Sequence, residues 1–145
     1  MCNQGRPATR KEKVRYLSRY KQMLMRETET IENIEMLRMR YMATPTKVID
    51  DMPHSHNAEH DLSEYAAEVD ELFRELNEQM SEAHKIRREI ISRIEAIEDE
   101  QFVTLLRLVY LHDKDLHTVA DTLCISYDWA KHLHGHALDA MELNI

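Results

Sequence analysis

The chain has 145 residues, a formal net charge of −8, and only two glycines and three prolines among many helix-forming side chains. This length fits one ordinary domain, or a small globule with an extension, and leaves no room for a second enzyme domain. The composition predicts an all-α fold and disfavours strands.

The first residues carry no apolar stretch behind their charges, and the longest nearly apolar run, residues 102–111, is too short to span a bilayer. Cys2 and Cys124 lie far apart and form no CxxC pair. We therefore expect a cytoplasmic protein that neither crosses nor contacts a membrane, in a reducing compartment.

Charge is distributed unevenly along the chain. Residues 1–26 hold eight basic side chains and one acidic one, whereas residues 51–83 hold ten acidic side chains and one basic one. A basic segment can attract phosphate, while an acidic segment is usually a solvated helix face. Only the basic N-terminal segment therefore indicates a particular partner.

Apolar side chains recur at intervals of three, four or seven between Lys11 and Met42, which predicts one long helix that ends before Pro45. Residues 43–61 contain two prolines and three histidines and are predicted to form a linker. Asp61, with Glu64 three positions later, is predicted to cap the second helix.

The second helix has an apolar seam from Leu62 to Ile97 with alternating spacings of three and four, interrupted at Gln79. A long helix with one narrow apolar stripe must bury that stripe to be stable. An antiparallel hairpin with the first helix is the preferred interpretation, and a dimeric coiled coil is the alternative.

Beyond Glu100 the pattern predicts a nearly all-apolar helix over residues 102–111 and two further short helices. In a helix-turn-helix, the first helix needs a small residue where the second helix crosses it, and Ala120 fits that position. Leu123 and Ile125 bracket the turn, and Ser126 is placed to cap the last helix. We predict two parts: residues 1–98, with a basic arm and a helical hairpin, and a trihelical helix-turn-helix domain over residues 99–145.

The stretch FVTLLRLVYLHDKDLHTVADTLCISYDWAKHLHGHALDAMEL resembles region 4 of sigma-70-type factors. The YLSRYKQM opening, the DDMPHSHNAEHDLSEY linker followed by DELFREL, and the WAKHLHGHAL end extend that likeness. Across most of its length the chain resembles the ArpU-type phage and prophage transcriptional regulators. The resemblance implies a promoter-reading helix-turn-helix on double-stranded DNA, activation of late genes and contact with bacterial RNA polymerase.

The resemblance also implies site residues. Ala120 and Leu123 become packing positions, Ser126 to Asp128 the start of the recognition helix, and Lys131 and His132 its groove-facing side chains. Two departures stand out, because Cys124 occupies a turn position where glycine is usual, and histidines replace the usual arginine or lysine. The implied DNA-contacting residues are therefore Ser126, Tyr127, Asp128, Lys131 and His132.

The charge of the C-terminal part does not favour DNA binding by that part alone. Residues 112–145 hold six acidic and two basic side chains, whereas affinity for nucleic acid depends on Lys and Arg at phosphates. The basic N-terminal segment, including Arg10 and Lys11, can supply phosphate contacts if the fold brings it beside the last helix. A homodimer would double those contacts. The same residues can equally form a solvated face of the first helix.

Other side chains have ordinary interpretations. Trp129 is expected to be a packing residue and Tyr127 either packs or stacks on nucleic acid. The linker group His54, His56, His60 and Asp61 contains zinc-ligand types but lacks helical i, i+4 spacing, so we predict no metal and no cofactor. His132, His134 and His136 can raise DNA affinity at acid pH.

No catalytic constellation is evident, and we predict that the chain is not an enzyme. The first alternative to a DNA-binding regulator is an acidic helical protein-interaction module, which binds RNA polymerase or another regulator without reading DNA. The second alternative is a purely structural coiled-coil protein.

Overall fold

The computed structural model describes residues 5–43 and 55–145, without the side chains of residues 55–60. The described residues form six α-helices and no strand; an isolated antiparallel bridge joins Pro7 to Asn144. The predicted all-α fold is confirmed. The helices are α1 (Arg10–Leu17), α2 (Arg19–Ala43), α3 (Ser55–Glu95), α4 (Glu100–Tyr110), α5 (Leu116–Leu123) and α6 (Tyr127–Ala140).

The first predicted helix is present but bent at Ser18, which divides it into α1 and α2. The Ser18 backbone keeps right-handed helical angles, so the expectation of one helix from Lys11 to Met42 is corrected only by this bend. Thr9 and Glu12 form a capping box that begins α1. The Arg19 side chain donates a hydrogen bond from Nε to the Tyr16 carbonyl at 3.1 Å and satisfies a carbonyl group at the end of α1. The apolar periodicity does not change at Ser18, so it does not predict this hydrogen bond.

The second helix begins earlier than the sequence predicted. The helix starts at Ser55, so Asp61 lies within α3 and does not cap it. No glycine or proline follows Pro53 in this part of the chain, so nothing in the sequence prevents the helix from beginning earlier. Residues 44–54 of the predicted linker, including His54, lie outside the described residues, as do the side chains of His56 and His60.

The structure divides into two compact units, and the boundary does not follow the predicted division after residue 98. Unit 1 comprises residues 1–23 and 83–145, and unit 2 comprises residues 24–82. The physical reason is that α1 and the end of α3 contribute to the same core as the three C-terminal helices. Fully buried side chains come from both parts of unit 1: Leu17, Ile90, Ile94, Leu105, Leu106, Val119 and Met141.

The segment before α1 is held against the C-terminal residues instead of forming a free arm. The Ala8 amide donates to the Leu143 carbonyl at 2.9 Å, and the Ile145 amide donates to the Arg6 carbonyl at 3.0 Å. A Cβ added to Gly5 would lie 2.2 Å from the Ile145 carbonyl oxygen, so only glycine permits this close approach.

Unit 2 is an antiparallel pair of helices. The Tyr41 and Tyr65 rings stack with centroids 4.3 Å apart, and Thr30 Oγ1 bonds Gln79 Oε1 at 2.9 Å. Higher residue numbers in α2 pair with lower residue numbers in α3, so the two helices are antiparallel, as the hairpin prediction required. Gln79, which interrupts the apolar seam, thus has a polar partner on the opposite helix.

Candidate nucleic-acid interface

The turn between α5 and α6 has the geometry of a helix-turn-helix turn, with cysteine in the position usually taken by glycine. Cys124 adopts a left-handed conformation, with φ 57° and ψ 42°. The Ile125 amide donates to the Ala120 carbonyl at 2.9 Å, and the Cys124 amide donates to the backbone carbonyl of Asp121 at 3.3 Å. These two bonds are the Schellman pattern, which ends one helix and redirects the chain within two residues.

Ser126 caps α6, as the sequence predicted. Its side-chain oxygen accepts a hydrogen bond from the Trp129 amide at 3.1 Å. Behind the turn, Ala120 and Ala130 are buried, and Leu123 is half-buried. Small buried residues on both helices let α5 and α6 pack closely, so the first residues of α6 project from the surface of unit 1.

The exposed start of α6 carries four of the predicted site residues. Asp128, Lys131 and His132 are exposed, and Tyr127 is partly exposed. The Tyr127 ring stacks on His117 of α5, with centroids 3.8 Å apart and an interplanar angle of 7°. Lys131 Nζ lies 4.6 Å from the centre of the same ring. Tyr127 therefore contacts both His117 of α5 and Lys131, a residue predicted to contact DNA.

Trp129 and His134 of α6 lie in opposite environments. Trp129 is 50% exposed, so the expectation that it is a packing residue is wrong. His134 points inward, and a hydrogen bond of 2.7 Å joins its Nε2 to the Tyr110 hydroxyl. Burial, reinforced by the nearby Arg10 charge, lowers the pKa of His134. His132 and His136 are exposed, so only these two of the three histidines remain available to a ligand.

Helix α1 packs against the C-terminal half of α6. The Arg10 guanidinium bonds both carboxylate oxygens of Asp139, one of them from Nε at 2.7 Å. Lys13 is buried, and its Nζ donates to the Leu138 carbonyl at 2.8 Å. The hydrogen bonds from Arg10 lower the pKa of Asp139. The basic segment is thus beside α6, which was the condition set by the sequence for phosphate contacts.

Most of the basic side chains in this segment already have internal partners. Arg6 pairs with Glu12, Arg19 with Glu89, and Lys21 with Asp113. Arg10 and Lys13 bond α6, as described. Within the part of the chain that the structure describes, no ion pair involves Lys11 or Arg15, and both side chains are exposed. Of the two predicted arm residues, Lys11 is available and Arg10 is engaged.

The resulting surface combines hydrogen-bonding, aromatic and basic groups. The first two turns of α6 present a carboxylate, a lysine, an imidazole and two aromatic rings. Helix α1, which contacts the C-terminal half of α6, carries Lys11 and Arg15 four residues apart and therefore on one helix face. Among the described side chains of residues 5–43 and 61–145, no three metal-ligand groups cluster together. No described helix combines the length and apolar character that a bilayer crossing requires.

No protein-family model matches this chain, and no curated protein or solved structure matches it either. The ArpU-type resemblance therefore stays a prediction. Sequence reasoning missed the Arg10–Asp139 and Lys13–Leu138 contacts, because the partners are more than a hundred residues apart and belong to different periodic segments.

Proposed function

We propose that this chain is a DNA-binding transcriptional regulator whose α6 enters a major groove of double-stranded DNA. The observation that carries the proposal is the exposed, Ser126-capped start of α6 directly after a Schellman turn. Helix-turn-helix proteins read base edges with the N-terminal residues of the second helix. In this reading Lys131 and His132 face bases, and the Ser126–Asp128 segment lies closest to the duplex backbone.

The position of α1 supports the phosphate contacts in this proposal. Lys11 and Arg15 are exposed on a helix that packs on α6, and neither is consumed by an internal ion pair among the described residues. They add positive charge to a unit whose residues 112–145 hold six acidic and two basic side chains. A homodimer would double these contacts. The resemblance to sigma region 4 is the reason to expect contact with RNA polymerase, with activation as the outcome.

The test is fluorescence anisotropy with labelled duplexes from the DNA upstream of the chain's own coding sequence, at two salt concentrations. Lys131→Ala is expected to weaken specific binding by about tenfold or more, since a lysine contact to a base edge discriminates by about 1–3 kcal/mol. The Lys11→Gln/Arg15→Gln double variant is expected to flatten the salt slope by about 1–2, because each phosphate contact contributes about 0.9.

The matched control is Lys85→Gln, which removes one exposed lysine from the α3 part of unit 1. It should leave both specific affinity and salt slope almost unchanged. Deletion of the N-terminal residues is unsuitable as a test, because residues 6 and 8 bond residues 145 and 143. Absence of binding at low salt, or equal effects of Lys131→Ala and Lys85→Gln, would rule the proposal out.

A second candidate function is a protein-interaction module, and the exposure of Trp129 favours it. Exposed tryptophans are enriched at the energetic centres of protein interfaces. Trp129→Ala distinguishes the two candidates. If α6 binds protein, the unmodified chain should capture purified RNA polymerase without binding duplex DNA. Trp129→Ala should then abolish the capture of polymerase.

A further inference from the structure

Helix α3 has two apolar stripes in unit 2, and only one of them faces α2. The facing stripe includes Tyr65 and Gln79, which contact Tyr41 and Thr30 across the hairpin. The second stripe follows spacings of four and three without interruption. Its members are Leu62, Ala66, Val69, Phe73, Leu76 and Met80.

The second stripe remains open to solvent. Leu62, Phe73 and Met80 are 50%, 48% and 52% exposed. Val69 and Leu76, which belong to both stripes, are only half-buried. A heptad stripe on a helix is the pattern that receives a neighbouring helix, and two offset stripes indicate two neighbours. Among the described residues of unit 2, α2 is one neighbour and the second position is empty.

We propose that a second copy of this chain fills this position, with its α3 packed antiparallel against the second stripe of the first. The stripe complements itself about a two-fold axis near Glu71. Antiparallel pairing brings Leu62 level with Met80 and Val69 level with Phe73 of the other copy, and Ala66 level with Leu76. Two of these pairs, Val69 with Phe73 and Ala66 with Leu76, combine a smaller side chain with a larger one, as interdigitating helix contacts favour.

The charges of α3 also favour this pairing. At 100° per residue, Glu64, Glu71 and Glu78 lie on the opposite side of the helix from Phe73. The outer flank of the stripe is formed mainly by small or neutral residues, with one acid, Asp70, and one base, Arg74. Antiparallel copies place Asp70 of one chain two residues from the level of both Arg74 and Asp70 of the other, so attraction and repulsion on this flank nearly offset each other. The pairing avoids the repulsion of the strongly acidic face.

The exposed methionines of α2 do not form a comparable surface. Met25, Met36 and Met39 are each more than half exposed. Glu32 lies on the same helix face between Met25 and Met36 and interrupts the stripe. The α3 stripe is therefore the better candidate for a helix-helix interface, and Met36 provides a matched control.

The test is sedimentation equilibrium of the full chain without DNA. The unmodified chain is expected to dimerise, and Phe73→Glu is expected to raise the dimer dissociation constant at least about tenfold, because it removes a central contact and places a charge in the seam. Met36→Glu, which introduces the same charge at a similarly exposed apolar residue, should leave that constant unchanged. A monomeric unmodified chain, or equal effects of both variants, overturns the proposal.

If circular dichroism shows that Phe73→Glu does not fold, spin-label distances decide the question. Labels are placed at Ala67 or Ser81 in a chain whose native cysteines are replaced. With a rise of about 1.5 Å per residue and helices about 10 Å apart, antiparallel pairing predicts intermolecular distances of about 15 Å and about 30 Å, respectively. Equal distances at the two positions, or none, overturn the pairing.

The inference rests on the proposed function only in that the dimer is the expected DNA-binding state. The two can fail separately, because assembly is measured without DNA. A dimer that binds no duplex removes the proposed function and supports the interface. A monomer that binds duplex specifically does the reverse.

Discussion

The two units of this chain use helices in different ways. Unit 1 encloses a core in which side chains such as Leu17, Ile94 and Leu105 are fully buried. In unit 2, the sole buried side chain among the described residues is Thr30, and the apolar seam residues remain half-exposed. Two helices alone cannot enclose a seam. The difference shows that helix formation and core formation are separate outcomes of similar apolar spacing.

The largest expected effect contrasts a core leucine with a seam leucine. Leu105→Ala should destabilise unit 1 by about 3 kcal/mol, since truncation of a fully buried leucine costs about 2–5 kcal/mol. Leu72→Ala, at a half-buried position of unit 2, should cost about 1 kcal/mol. Denaturant unfolding followed by Trp129 fluorescence reports unit 1, and circular dichroism reports both units. Equal losses would contradict the contrast.

A smaller effect concerns the polar pair in unit 2. Thr30→Val removes the hydroxyl that bonds Gln79, and we expect a loss of about 1 kcal/mol because the glutamine amide then lacks its interhelical partner. The Thr30→Val/Gln79→Leu double variant should recover that stability, since an apolar pair replaces the polar one. The measurement is thermal unfolding by circular dichroism; a double variant weaker than the single variant would contradict the assignment.

A stabilising change is expected at the turn of unit 1. Cys124→Gly should raise the free energy of unfolding by about 0.5–1 kcal/mol, because a left-handed conformation costs a non-glycine residue about 1–2 kcal/mol and glycine loses more entropy on folding. Cys124→Ala retains the Cβ and should leave stability unchanged. Urea midpoints of the two variants provide the check, and equal shifts would contradict the role of φ.

The smallest effect is a dependence of unit 1 on pH through His134. Its pKa is lowered in the folded state, so the unfolded state binds the proton more readily. The stability that neutral His134 contributes to unit 1 is fully present above the ordinary pKa of 6.5. This stability is lost as the pH falls from 6.5 through the lower pKa of the folded state. His134→Gln should make the urea midpoint depend less on pH between pH 7 and pH 5. A midpoint that falls as steeply in the variant as in the unmodified chain would contradict this assignment.

Local signals in the sequence predicted much of unit 1 correctly. Apolar spacing located α4 to α6, and Ser126 was recognised as a cap because its chemistry acts within three residues. The bend at Ser18 and the start at Ser55 were missed, since each depends on hydrogen bonds or on the absence of a helix breaker, which periodicity does not report. Apolar spacing also did not indicate which residues would contact each other when they lie in segments that are far apart in the sequence.

The candidate interface was predicted in part for the same reason. Lys131 and His132 follow from their place in a local motif, and the structure exposes them. Arg10 was expected to be available, yet it pairs with Asp139 across 129 positions. Trp129 was expected to pack, but its exposure depends on which helices surround α6. Tertiary arrangement therefore decides which charged and aromatic side chains remain accessible.

The bonds that join residues 6 and 8 to residues 145 and 143 also bear on folding during synthesis. Unit 1 can close only after its last residues leave the ribosome, whereas the Thr30–Gln79 and Tyr41–Tyr65 contacts of unit 2 span 49 and 24 positions. Contacts between distant residues form more slowly because the loop between them must first be closed. The hairpin is thus expected to form first. Until α6 has been synthesised, the apolar side of α1 remains exposed.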